Sequence, residues 1–304
     1  MIVEVAAAVM QRADGAFLLA QRPPGKVFAG FWEFPGGKIE PGEPAAQALA
    51  RELHEELGVE VLCAYPWLTR RFTYPHATVR LNFFRVTAWA GEPHPKEEQA
   101  IAWQRPGAPM AAPMLPANAP VLASLALPTE YAITQAARLG TAGMLACVER
   151  RLEQGLKLLQ VREPDLGEDE RSLFTRQVVG LAHRYGCKVM VKSAFPGADG
   201  IHLTASRLMS LEHRRRDVLV AASCHNREEL ERAMRLELDF AVLGPVKATA
   251  SHQAQAVLGW AGFAQLARGA SIPVYAIGGL RREDMEDAWR CGAHGLAMIR
   301  GSWT

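Results

Sequence analysis

Hydrophobic positions in the first third of the chain do not repeat in a single way. Val3–Met10 is a nearly unbroken apolar run that stops at the polar turn Gln11-Arg12-Ala13-Asp14-Gly15, the pattern of a first strand. Residues 70–89 (RRFTYPHATVRLNFFRVTAW) alternate as the two strands of a hairpin, with His76 at its turn. Between these, residues 44–57 are strong helix formers. At about 100° per residue Ala46, Leu49, Ala50, Leu53 and Leu57 share one face; Pro44 suits the first turn and Gly58 supplies the stop. From Trp103 to Pro128 prolines crowd the chain. Each removes a donor and fixes φ, so this stretch is neither a continuous helix nor a central strand. Only residues 116–127 (PANAPVLASLAL) predict a short helix, with Asn118 as its cap and Pro120 just inside.

After Pro128 the rhythm changes. Short apolar runs (YAIT, KLLQVR, KVMVKS, GIHLT, VLVAASC, FAVLGPV, PVYAIGG and GLAMIRG) alternate with helices predicted over residues 137–154, 168–185, 227–237, 260–268 and 282–291. Such alternation with short connections predicts a (β/α)8 TIM barrel. The chain is therefore α/β with two domains, residues 1–128 and 129–304, joined near Pro128 by a short linker.

Composition narrows the class without redrawing this map. The 304 residues suit two domains, and 49% hydrophobic with 22% charged residues excludes disorder. With 34 Lys+Arg against 32 Asp+Glu there is no basic footprint for nucleic acid. No apolar stretch is long enough to span a bilayer, and the N-terminus lacks the basic region of a signal peptide. The five cysteines are scattered and never in CxxC spacing, which points to a reducing cytoplasm and away from a disulfide scaffold or zinc site. Oligomeric state is not written in the sequence.

Chemistry concentrates first in residues 37–59. Glu52, Glu55 and Glu56 share an arc of the helix at i,i+3 and i,i+4 spacing, where like charges cost about 0.2–0.5 kcal/mol per pair. A solvated acidic face is the ordinary reading of three such glutamates. The preceding turn argues otherwise: Gly36-Gly37 lets backbone approach a ligand, and Lys38 follows at once. Converging carboxylates are hard oxygen ligands suited to Mg²⁺ or Mn²⁺ that also binds phosphates, and Arg51 can pair with them and orient them.

The spacing G-x5-E-x7-R-E-x-x-E-E-x-G, filled by Gly37, Glu43, Arg51, Glu52, Glu55, Glu56 and Gly58, resembles the Nudix box. The resemblance implies a mixed-sheet α/β/α sandwich that cleaves nucleoside-diphosphate-linked substrates with Mg²⁺ or Mn²⁺. Glu52, Glu55 and Glu56 would be metal ligands, one of them also the base for the attacking water, with Gly36 as a carbonyl ligand. Residues 33–40 (EFPGGKIE) look like the MutT subgroup, which hydrolyses 8-oxo-dGTP and so keeps the nucleotide pool clean. Arg22 matches a substrate-contacting arginine of that subgroup, and Asn118, in PANAPV, the asparagine that reads the oxidised purine; a plain helix cap is the alternative for Asn118. Lys96-Glu97-Glu98-Gln99 places Glu97 as a further metal ligand, with Glu98 as rival. PPGKVFAGF, after Arg22, departs from the subgroup and does not align. Trp32 and Trp67 are candidates to stack on a substrate ring.

In the second half the polar residues Arg162, Lys192, His202, Thr204, His225, Lys247 and Arg300 fall at strand C-termini, where barrels place their sites. Gly278-Gly279 and Arg300-Gly301-Ser302 read as a phosphate cradle of backbone N–H groups. Gln160–Glu163, Gly200–Leu203, Ser223–His225, Gly244–Val246 and Ala276–Gly279 together resemble thiamine-phosphate synthase and its TenI relatives. That resemblance implies Arg162, Gly278, Gly279 and Ser302 at a phosphorylated ligand, a thiazole or pyrimidine phosphate, and His225 in acid–base chemistry. The chain departs from the synthases at their metal carboxylates: Lys192-Ser193 and Thr204-Ala205-Ser206-Arg207 stand there, and Pro164 replaces a lysine. Three readings follow: a nucleotide-sanitising hydrolase with an appended barrel; a thiamin-pathway enzyme cleaving a thiamin-pyrophosphate analogue; or a barrel that senses a thiamin precursor without chemistry.

Overall fold

The computed structural model describes residues 2–75, 77–97, 99–107, 111–248 and 257–303. The predicted roles of His76 and Glu98 fall outside these described residues. The chain divides into two compact units, one of Met1–Ala126 with Gly269–Ser271 and one of Leu127–Arg268 with Ile272–Thr304. No helix among the described residues is long and apolar enough to cross a membrane.

The first unit runs β1 (Ile2–Met10), β2 (Phe17–Gln21), β3 (Trp32–Glu33), β4 (Gly36–Lys38), α1 (Ala45–Leu57), β5 (Glu60–Thr73), β6 (Thr78–Ala90), β7 (Ile101–Gln104) and α2 (Ala119–Leu125). A mixed sheet is ordered β4-β1-β6-β5, with β1 parallel to β6, and β3-β2-β7 form a separate antiparallel sheet. The apolar run of β1 is unbroken because both its faces are covered. Ala6, Ala8 and Met10 pack against Leu49, Leu53 and Leu57 of α1, while Ala7 and Val9 join Val121 and Leu125 of α2. The hairpin is longer than its alternation suggested. Register shifts at Val61–Ala64 and Pro66–Thr69 let β5 pass a proline that cannot donate to the ladder. Helix α1 starts one residue after Pro44 and ends at Gly58, which adopts φ 70° as a left-handed cap.

The second unit is a closed barrel in the order β8 (Glu130–Ile133), β9 (Leu158–Gln160), β10 (Lys188–Val191), β11 (Gly200–Leu203), β12 (Leu219–Cys224), β13 (Phe240–Leu243), β14 (Val274–Ile277) and β15 (Gly295–Met298), all neighbours parallel. Between them lie α3 (Ala136–Glu153), α4 (Glu168–Arg184), α5 (Ala205–Ser210), α6 (Arg227–Arg235), α7 (Gly259–Ala267) and α8 (Met285–Arg290). Alternation sorts each strand. Leu158, Met190, Phe240 and Tyr275 fill the interior, whereas Leu159, Val189 and Val191 face Val148 and Leu152 of α3 and Phe174 and Val178 of α4. Two details differ from expectation. The short α5 has no periodic signal, and the element over 282–291 opens as a 3-10 turn, Arg282–Asp284, before α8.

Candidate active site

Helix α1 presents its acids beside β4, and Arg51 organises them. Its guanidinium donates to Glu43 Oε1 and Oε2 at 3.1 and 3.0 Å, to Glu52 Oε1 at 2.9 Å, to Glu55 Oε2 at 3.4 Å and to the Lys38 carbonyl at 3.1 Å. Arg51, together with the Glu40 amide, holds Glu43 below the usual carboxylate range. The glycine pair has steric grounds. A Cβ on Gly37 would lie 2.2 Å from the Glu52 carboxylate; one on Gly36, which adopts φ 139°, would lie 2.2 Å from the Ala6 carbonyl oxygen. The Lys38 side chain is exposed.

Glu56 is part-buried behind the glycine pair's first amide. Burial, with added repulsion from Glu33, Glu52 and Glu97, outweighs the 3.2 Å hydrogen bond from the Gly36 amide and pushes its carboxyl up to about 7. Gln99 links Glu56 to the next segment, donating to the Glu56 carbonyl at 2.9 Å and accepting from the Glu97 amide at 2.7 Å. Glu97 itself is paired with Lys26 at 2.7 Å.

Among the described residues no three His, Cys, Asp or Glu side chains surround a common point. Glu52 and Glu55 turn to Arg51, Glu56 to the Gly36 amide and Glu97 to Lys26. The converged carboxylates expected from spacing alone are thus drawn aside by cations and an amide. The contact that Gly36 makes is through its N–H. The donor set nonetheless fits a divalent ion: Glu33, Glu52 and Glu97 all act on part-buried Glu56, a concentration of hard oxygen donors that repel one another.

A second cluster lies around Asn118. Its side chain is buried, makes no capping hydrogen bond to α2 and, among the described residues, has only a 3.9 Å contact from Nδ2 to Met114 Sδ, so the helix-cap alternative is not what the geometry shows. Next to it the Ala117 amide donates to Tyr74, whose hydroxyl burial and Glu33 push up. Arg22 donates to Glu33 Oε1 at 2.6 Å and to the Val27 carbonyl at 2.7 Å. Phe28, a non-glycine residue at φ 60°, packs its ring at a tilt against Tyr74 at 5.3 Å and edge-on against Phe31 at 5.5 Å. Sequence reasoning missed Phe28, Tyr74 and Glu33. The one available signal was the unaligned run after Arg22, which carries Phe28. Trp67 is not available to stack on a substrate, because it is buried in the α2-side core beneath Arg85. Trp32 packs partly buried against the same core.

In the barrel, Arg162 and Lys192 are exposed just beyond β9 and β10. His202 is buried inside. His225 is exposed and held by Glu229, whose Oε2 accepts from the His225 amide at 2.6 Å and lies 3.0 Å from Nδ1. Thr204 caps α5, and Lys247 pairs with Asp284 at 2.7 Å. Gly278 and Gly279 adopt φ 110° and 64°, and a Cβ on Gly278 would meet Pro245 Cα at 2.7 Å. The cradle expected at Ser302 is one of backbone N–H groups, and the serine side chain turns inward. It is fully buried and its hydroxyl donates to the Met298 carbonyl at 3.3 Å, because the 3-10 turn Arg300–Ser302 folds it back onto β15.

Two family models cover the chain: the NUDIX domain matches residues 6–124 and thiamine monophosphate synthase matches residues 130–301. A CTP pyrophosphohydrolase of Escherichia coli K12 is 40% identical over 121 residues, 40% of this chain and 89% of the relative. An 8-oxo-dGTP diphosphatase of Haemophilus influenzae is likewise 40% identical, over the same shares. A putative thiamine-phosphate synthase 2 of Aquifex aeolicus is 29% identical over 180 residues, 57% of this chain and 96% of the relative. The acid helix packed on a mixed sheet and the eight-stranded barrel are therefore family features: this chain belongs to the Nudix family through its first unit and to the thiamine monophosphate synthase family through its second.

Proposed function

We propose that the first unit is a Mg²⁺-dependent hydrolase of phosphoric anhydrides that converts 8-oxo-dGTP to 8-oxo-dGMP and pyrophosphate. The observation that carries the substrate is the buried Asn118 amide, not engaged as a cap and set beside Tyr74. One amide both donates and accepts, which matches the edge of an oxidised purine. Phe28 and Tyr74 offer an aromatic wall for the ring, and Arg22, anchored on Glu33, closes its side.

Glu52, Glu55, Glu56 and Glu97 would hold the ion, Mg²⁺ or Mn²⁺, with Gly36 at its edge. When bound, the ion neutralises the polyphosphate and lowers the pKa of its water. Arg51 fixes where Glu52 and Glu55 stand, and one of these takes the proton of the attacking water at a carboxylate oxygen. The water oxygen bonds to phosphorus, the α–β anhydride breaks, and pyrophosphate leaves. Lys38 adds positive charge beside the phosphates.

CTP is the second reading, favoured by the equal identity to a relative named CTP pyrophosphohydrolase. Pyrophosphate release from 8-oxo-dGTP, dGTP and CTP separates the two. The sanitising reading expects 8-oxo-dGTP to be turned over fastest and Asn118→Ala to depress that substrate selectively, by about ten-fold or more in kcat/KM. Equal turnover of dGTP and 8-oxo-dGTP would reject it, and faster CTP hydrolysis would favour the alternative.

For the barrel we propose a thiazole or pyrimidine phosphate ligand held by backbone at Gly278, Gly279 and Ser302 and by Arg162. The exposed His225 ring, oriented by Glu229, supports acid–base chemistry there. Thiazole phosphate isomerisation surviving His225→Ala would reject that role and favour a sensing barrel.

A further inference from the structure

Three polar groups run in line through the barrel interior. Tyr131 Oη lies 2.9 Å from His202 Nδ1, and His202 Nε2 lies 2.9 Å from Ser223 Oγ. Their proton positions follow by elimination. Tyr131 is fully buried, and burial keeps its phenol protonated. Its one hydrogen-bond partner among the described residues is Nδ1, so the phenol donates there. The imidazole, held neutral by burial and then by the charge of Arg162, carries its proton on Nε2 and donates it to Ser223. The half-buried Ser223 hydroxyl has already accepted and donates to no group among the described residues. Its own proton is left for a further acceptor.

Above this chain the rim is cationic. Gln160, Met190 and Gly200 are in register on β9, β10 and β11, so Arg162, Lys192 and His202 each lie two residues further toward the carboxyl ends. Among the described residues neither Arg162 nor Lys192 forms an ion pair. Arg207, from α5, adds a third cation, whose guanidinium donates to the Lys192 carbonyl at 2.6 Å. Nearby carboxylates are engaged elsewhere: Glu163 accepts the Ala136 amide at 2.8 Å, Glu229 holds His225, and Asp284 pairs with Lys247.

We propose that this side of the barrel mouth does not fit the divalent ion that the synthases' carboxylates would hold there, and that Arg162, Lys192 and the Ser223 hydroxyl instead take a phosphoryl group directly. A site that offers only donors and cations takes an anion as it stands, whereas a bridging metal needs oxygen ligands of its own. The glycine cradle on β14 lies four strands from β10 around the closed barrel; Arg162 is common to both readings, and Lys192 belongs to this one alone. This site also stands apart from the hydrolase reading, because its test is read without divalent ions.

The test is calorimetric titration of the full chain with inorganic pyrophosphate in EDTA. Saturable binding is expected, weakened about ten-fold by Lys192→Met and by Arg162→Met and less by Ser223→Ala. Both cations are exposed, so neither variant removes packing; should Arg162→Met alter the far-UV spectrum, Lys192→Met alone decides. Binding that appears only when Mg²⁺ replaces EDTA would overturn the proposal. So would binding in EDTA that Lys192→Met does not weaken, since the anion would then sit elsewhere, or an absence of binding under both conditions.

Discussion

His202 links the barrel's stability to pH in a way that can be measured at one residue. Burial pushes its pKa from the ordinary 6.5 down to about 4. In the unfolded chain the imidazole takes up a proton near 6.5, while in the folded barrel it resists protonation until about 4. The unfolded state therefore binds more protons between these values. The stability contributed by a neutral His202 is full above about 6.5 and is lost as pH falls toward 4. At about pH 4.5 the loss amounts to roughly 2.5 kcal/mol, from about 1.4 kcal/mol per pKa unit. Other groups titrate over the same range, so the perturbation is His202→Gln, which keeps a polar side chain and removes the titration. Urea unfolding of both proteins at about pH 7 and about pH 4.5, followed by near-UV circular dichroism, gives the difference of differences. The gap between wild type and variant should shift in favour of the variant by roughly 2 kcal/mol on acidification. Parallel behaviour, within about 0.5 kcal/mol, would show that the imidazole is hydrated or already charged in the fold and would remove the hydrogen-bond chain built on it.

Other expectations concern single groups. Glu52→Gln should lower pyrophosphate release by about 10²-fold or more while leaving the far-UV spectrum unchanged; an active variant would remove Glu52 from the site. Gly36→Ala should destabilise the first unit by roughly 1–3 kcal/mol in urea, because its φ and its approach to the Ala6 carbonyl both exclude a Cβ; a neutral result would mean that β4 shifts freely against β1. Burial pushes the thiols of Cys187 and Cys224 up to about 12, so both should resist a thiol reagent at about pH 8 in the folded chain and react on unfolding. Prompt labelling of either would contradict its burial.

How much of this was legible beforehand differed between the two units for physical reasons. Barrel strands are covered on both faces, so each is a short apolar run, and the alternation with helices marked all eight. The acid helix was legible because its chemistry depends on residues close in sequence. What escaped depends on contacts far apart in sequence: Tyr131, His202 and Ser223 meet only when three strands close into a barrel. The short β2-β3-β7 sheet has too few residues per strand for a period to emerge. Phe28 reaches Tyr74 through a backbone turn that a phenylalanine seldom adopts. The course of the Ser302 hydroxyl was not legible either, because a 3-10 turn curls it back to its own strand.

The alternating alanines of β1 have a further consequence. Ala6 and Ala8 back the helix that bears the acids, and Ala7 backs the helix that Asn118 opens. On the proposed function, a single thin wall divides the residues that would break the bond from the residue that would read the base. Substitutions on one side could then alter which nucleotide is accepted while the cutting side stays as it is.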